Sequence, residues 1–142
     1  MAYFTILLIG ALASSVCSEP EEDIRKLETE ILDVCKEKTK ASQDAVNQLL
    51  KSGDLDESPE GKCLIKCGLQ TFGTMTEDGA FNNIRARDYM KGAYPENVDE
   101  AAEIWENCQA HAKKTDDKCD YAYKVIKCFF AGIKNQNIKK AW

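Results

Sequence analysis

Seven cysteines in a chain of 142 residues constrain the fold more than any other feature. Six of them, Cys35, Cys63, Cys67, Cys108, Cys119 and Cys128, are separated by stretches of 27, 3, 40, 10 and 8 residues. In an oxidising compartment an even set of this size reads as a framework of internal bridges, with fifteen pairings open to it. The seventh, Cys17, lies in a different kind of segment.

Met1 to Ser18 contains no Asp, Glu, Lys or Arg, and its apolar run from Tyr3 to Ala13 ends in small residues. This is the layout of a secretory signal peptide. The run is shorter than the ~20 apolar residues of a membrane span. Cleavage fits after Ala13, Cys17 or Ser18, and we place the boundary at about Ser18. Removal after Cys17 or Ser18 leaves six cysteines in a secreted, extracellular protein. Removal after Ala13 leaves Cys17 as an extra thiol able to join two copies. The chain is 44% hydrophobic and 30% charged, which suits one soluble globular domain. Its net charge of −5 and pI of about 5.0 repel phosphate backbones and anionic headgroups. Neither nucleic acid nor stable membrane insertion is expected.

Apolar residues recur at helical spacing and no sustained period-two run appears, so the fold class is all-α. Ile24, Leu27, Ile31, Val34 and Cys35 define a first helix face. Ala45, Val46, Leu49 and Leu50 define a second, with Ser42 as N-cap and Gly53 as a stop. Ser58-Pro59-Glu60 opens a third helix through Cys63, Leu64, Cys67 and Leu69. Glu77-Asp78-Gly79 reads as a turn. A short helix is expected over 83–90. Pro95 and Asn97 precede another, with Val98, Ala101, Trp105, Cys108 and Ala112 in line. From Cys119 to Lys134 the polar residues form one narrow stripe, so this last helix is apolar over most of its circumference and central to the domain.

Cys63 and Cys67 stand one helical turn apart and point to the same side, where each reaches a different neighbour. A bridge between them would strain the helix, although spacing does not exclude it. Cys119 and Cys128 are nine residues apart and face opposite sides of the last helix, at ~100° per residue. The gaps of 3 residues, Cys63-Leu64-Ile65-Lys66-Cys67, and of 8, between Cys119 and Cys128, resemble the most constant spacings of the six-cysteine insect odorant-binding proteins. Those are the pheromone-binding and general odorant-binding type. The gaps of 27, 40 and 10 lie in the same family's range. The resemblance spans Cys35 to Cys128. It implies the interlocked pairing Cys35–Cys67, Cys63–Cys119 and Cys108–Cys128. It also implies six helices around an apolar cavity, in a single domain over 19–142 with a C-terminal tail from about residue 135.

On that resemblance the chain is a secreted carrier that binds and solubilises small hydrophobic molecules such as odorants or pheromones. It has no enzymatic activity. A fold stapled by bridges tolerates a cavity that a filled core would otherwise occupy. Phe72, Met75, Ile84, Met90, Trp105, Tyr123, Ile126, Phe130 and Ile133 are the candidate ligand wall, although for each of them ordinary core is the stronger reading. Ile138 and Trp142 are apolar residues in a polar tail and fit either a lid or a frayed end. The expected partners are a small hydrophobic ligand and, beyond it, a chemosensory receptor or a second copy of the chain. The same fold also serves as a carrier in non-olfactory secretions. A saposin-like lipid-interacting protein is a different reading, disfavoured by its cysteine gaps.

No cofactor or metal is expected. Cys108-x-x-His111 is half a zinc pattern, but Cys108 has a bridge to make and His111 is the only histidine. We expect His111 to be half-buried and hydrogen-bonded on the edge of its helix. One histidine without a nucleophile motif supports no triad. Acid-triggered lid opening, implied for several relatives, has only His111 to draw on near neutral pH.

Overall fold

The computed structural model describes residues 20–142. The segment read as a signal peptide, its expected cleavage positions and Cys17 lie outside the described residues. Six helices follow in order: α1 (Pro20–Thr39), α2 (Gln43–Leu50), α3 (Pro59–Phe72), α4 (Asn83–Ala93), α5 (Val98–His111) and α6 (Lys118–Asn135). Among the described residues the only β feature is an isolated antiparallel bridge between Met75 and Phe81.

Capping residues set most helix starts. The Ser42 hydroxyl accepts from the Ala45 N–H, and the Ser58 hydroxyl accepts from the Gly61 N–H with Pro59 in the first turn. Asn82 receives the Arg85 N–H, and Asp117 receives those of Cys119 and Asp120. Gly73 ends α3 at φ 87°, a left-handed conformation that a side chain resists. The Glu77–Gly79 turn forms as expected, with Gly79 at φ 88°. The fourth helix runs three residues beyond the expected Met90, to Ala93.

The last helix is central. α6 packs on α3 and α5, while α1 lies across α3 and α4. Tyr121, Ala122, Tyr123, Val125, Ile126, Phe129 and Ile133 of α6 are buried. At Gly132 a Cβ would come within 2.5 Å of Ile104 Cγ2, so α5 and α6 approach through this glycine. A smaller cluster of Leu32, Cys35, Ala45, Val46 and Leu64 joins α1, α2 and α3.

The face of α1 departs from the expected stripe. Leu27 and Val34 are 40% and 51% exposed. The buried side instead runs through Glu28, Ile31, Leu32 and Cys35. An apolar count rotates the face because it skips Glu28, whose charge is neutralised within the fold.

Three disulfides tie the helices: Cys35–Cys67 joins α1 to α3, Cys63–Cys119 joins α3 to α6, and Cys108–Cys128 joins α5 to α6. Their sequence separations of 32, 56 and 20 residues correspond to ~3–4 kcal/mol each by chain entropy. After α6 the tail turns at Asn137, φ 53°, and runs back so that the Ala141 N–H donates to the Ala93 carbonyl at 2.9 Å.

Candidate functional site: an apolar cavity among the helices

Six helices leave a cavity between them. α1 contributes Ile31, Leu32 and Glu28, and α3 contributes Ile65, Leu69 and Phe72 at helical spacing. α4 contributes Ala86, Tyr89 and Met90, α5 contributes Trp105, and α6 contributes Ile126, Phe129 and Phe130. Leu49 of α2 and Thr74 after α3 complete the wall. The volume is about 100 Å³, against the ~10–15 Å³ that one water needs on the same measure. The void is smaller than the ~300–1,000 Å³ of typical ligand pockets and its wall is almost entirely of carbon, so an apolar ligand enters it by parting the surrounding side chains. Edge-to-face aromatic pairs stiffen the wall: Phe72 with Tyr89 at 5.4 Å and Trp105 with Phe129 at 5.7 Å between centroids.

Of the nine residues expected at a ligand wall, Phe72, Met90, Trp105, Ile126 and Phe130 lie there. Four lie elsewhere. Ile84 is 77% exposed, because Ala86, Met90 and Ala93 form the inward face of α4. Met75 is buried core beside Gly79, held by the bridge to Phe81. Tyr123 is buried, but its hydroxyl donates to Glu57 at 2.8 Å and Lys62 and Lys127 stand over its ring. It therefore belongs to a polar seam at the molecule's edge. Ile133 lines a second cavity of about 270 Å³ beneath the tail, together with Ile138 and Trp142. Phe130 borders both cavities.

Polar chemistry concentrates where the tail meets α1 and α4. Glu28 accepts the Tyr89 hydroxyl at 2.9 Å on one oxygen and the Lys140 ammonium at 2.6 Å on the other. The side chains of Glu28 and Lys140 are only 15% and 10% exposed. The Lys140 ammonium also lies 4.6 Å from the centroid of Trp142. Burial lowers the Lys140 pKa against the opposing pull of Glu28. Burial, reinforced by the charge on Glu28, holds the Tyr89 phenol well above its usual range. Periodicity missed Glu28 and Tyr89 because a carboxylate on a buried helix face carries no apolar signal. Ile65 and Leu69 were not among the expected wall residues; their i, i+4, i+7 spacing with Phe72 is the signal that points to them.

His111 is exposed rather than half-buried, and its Nδ1 lies 2.7 Å from the Asn107 carbonyl oxygen. Cys108 is committed to Cys128. Among the described residues no cluster of His, Cys, Asp or Glu is placed to hold a metal ion. None of their helices is long and apolar enough to cross a membrane.

Residues 17–132 match the profile of the PBP/GOBP family. The chain belongs to the PBP/GOBP family. Among curated members, general odorant-binding protein 19d of Drosophila melanogaster is 32% identical over 139 residues, covering 94% of this chain and 91% of that protein. Among solved structures, the odorant-binding protein dmelOBP28a of Drosophila melanogaster superposes with a TM-score of 0.70 at 22% identity, covering 84% of this chain and 99% of the other. Odorant binding protein 7 of Anopheles gambiae, solved with four disulfide bridges and in complex with an azo compound, gives a TM-score of 0.64 at 23% identity. That match covers 83% of this chain and 92% of the other. These two likenesses establish the PBP/GOBP fold, here with three bridges among the described residues.

Proposed function

We propose that this protein is a secreted, non-enzymatic carrier that takes up small hydrophobic molecules, odorants or pheromones among them, in the cavity between α1, α3, α4, α5 and α6. The observation that carries this reading is the carbon-lined void itself, kept open in a domain whose stability is supported by three cross-links. Filling it transfers apolar ligand surface out of water at ~0.8 kcal/mol per buried CH₂, which suffices for micromolar affinity before ordering costs. No bond is made or broken; solubilisation follows from mass action. Phe72, Met90, Trp105, Ile126 and Phe130 are the ligand contacts, with Ile65, Leu69 and Tyr89 beside them. The tail is the lid, held by Lys140 on Glu28 and by the Ala141–Ala93 hydrogen bond. Family membership at 32% identity over nearly the whole chain supports the same reading.

Displacement of an apolar fluorescent probe from the mature, oxidised protein tests it. Medium-chain alcohols should compete at micromolar concentration with one site per chain. A chemically broad panel that displaces nothing, with the fold verified by circular dichroism, would remove the carrier reading.

A further inference from the structure

Four side chains that bear polar atoms reach the wall of the apolar cavity: Glu28, Thr74, Tyr89 and Trp105. Their donors are all spent inside the protein. The Tyr89 hydroxyl donates to Glu28 at 2.9 Å, and the Thr74 hydroxyl donates to the Leu69 carbonyl at 3.0 Å. The Trp105 indole N–H donates to Asn83 Oδ1 at 3.1 Å. Glu28 brings acceptors only. Tyr89 and Lys140 occupy two of its roughly four lone-pair sites. Thr74 and Tyr89 each keep a free lone pair for the same reason. Lys140, which still carries protons, borders the second cavity rather than this one.

We infer that this wall selects apolar ligands bearing a hydrogen-bond donor, alcohols and phenols, over ethers and esters of equal size. The inference rests on the carrier reading above and specifies the ligand class for the same cavity. An alcohol entering the site exchanges its hydrogen bond to water for donation to an acceptor, and the carboxylate of Glu28 is the strongest acceptor present. An ether or ester oxygen gives up the water protons it accepted and meets only further acceptors. A buried oxygen left in that state loses its solvation with nothing in return. An ionised carboxylate suffers more, because it also faces the charge of Glu28.

The test compares 1-nonanol, methyl octyl ether and decane, which share the same number of non-hydrogen atoms, by probe displacement on the oxidised wild-type protein. Nonanol should bind about tenfold or more tightly than the ether, the size of one charge-assisted hydrogen bond. Glu28→Gln supplies an amide donor and removes the charge, so the ratio should fall to about threefold or less. Lys140→Met loosens the tail but leaves the wall acceptors, so the ratio should persist. Equal wild-type affinities for nonanol and the ether overturn the selectivity and leave the carrier reading standing. So does a ratio that vanishes in Lys140→Met, which would place the preference in the tail. Failure of all three ligands to bind removes the carrier reading and this inference together. The wild-type series decides the matter even should Glu28→Gln fold poorly.

Discussion

Glu28 is the residue on which the site turns. A carboxylate at 15% exposure on an otherwise apolar helix face is costly unless paired, and here two donors meet it. Replacing Lys140 with Met leaves that carboxylate with Tyr89 alone, so we expect a loss of ~1–3 kcal/mol in urea unfolding of the oxidised protein. A conserved stability in Lys140→Met would show that the pair contributes little beyond its own desolvation. Tyr94 gives a prediction in pH. Burial pushes its phenol up to about 12 from the ordinary tyrosine value of 10.0. The folded state therefore keeps a proton that the unfolded state releases, and the stabilisation is complete below pH 10 and lost as pH climbs toward 12. Tyr89 shifts in the same direction. Lys140, with its lowered pKa, works the other way, gaining relative stability as pH approaches the ordinary lysine range. Tyr94→Phe removes only the first contribution. Between pH 9 and pH 11 the wild type should lose ~1 kcal/mol more than this variant, measured by urea titration at each pH. Parallel curves would contradict the burial of that phenol.

At the scale of elements, two contacts hold the helices and the tail in place. α5 and α6 meet at Gly132, where an added methyl would stand 2.5 Å from Ile104 Cγ2. Ile104 is β-branched and cannot swing clear cheaply, so Gly132→Ala should cost ~1–3 kcal/mol through overpacking, read as a lower urea midpoint at unchanged m-value. The tail is the other contact. Deleting the residues after Gln136 removes the Lys140–Glu28 pair, the Ala141–Ala93 hydrogen bond and the cover of Ile138 and Trp142. Ligand off-rates measured by stopped-flow should rise about tenfold, while unchanged off-rate and affinity would end the lid assignment. Sequence spacing reached these elements unevenly. Ser42, Ser58 and Pro59 marked helix starts through local chemistry, and the pattern of α6 announced its central place. The inward face of α1 was not legible. Leu27 and Val34 looked like core and are exposed, whereas Glu28 faces inward because a tail lysine 112 residues away neutralises it. No local pattern encodes a partner at that distance.

The whole molecule is a cross-linked shell whose interior is left partly unfilled. The cysteine gaps carried the fold, since the interlocked pairs implied by the family resemblance are the pairs the structure contains. The cavity was only half legible. Phe72, Met90, Trp105, Ile126 and Phe130 reach it, but Ile84, Met75, Tyr123 and Ile133 do not. Hydrophobicity alone cannot separate a residue that faces a void from one that faces a neighbour, because both are apolar and helical. The distinction arises from how six helices cross, and from the chain's return over them. The most direct test of carriage in this void is a crystal structure of the mature protein soaked with 9-bromo-1-nonanol. Anomalous scattering should place the bromine between α3, α4 and α6, within van der Waals contact of Phe72, Met90 or Ile126. Bromine found only on the surface, or only beneath the tail beside Ile133 and Trp142, would contradict the account.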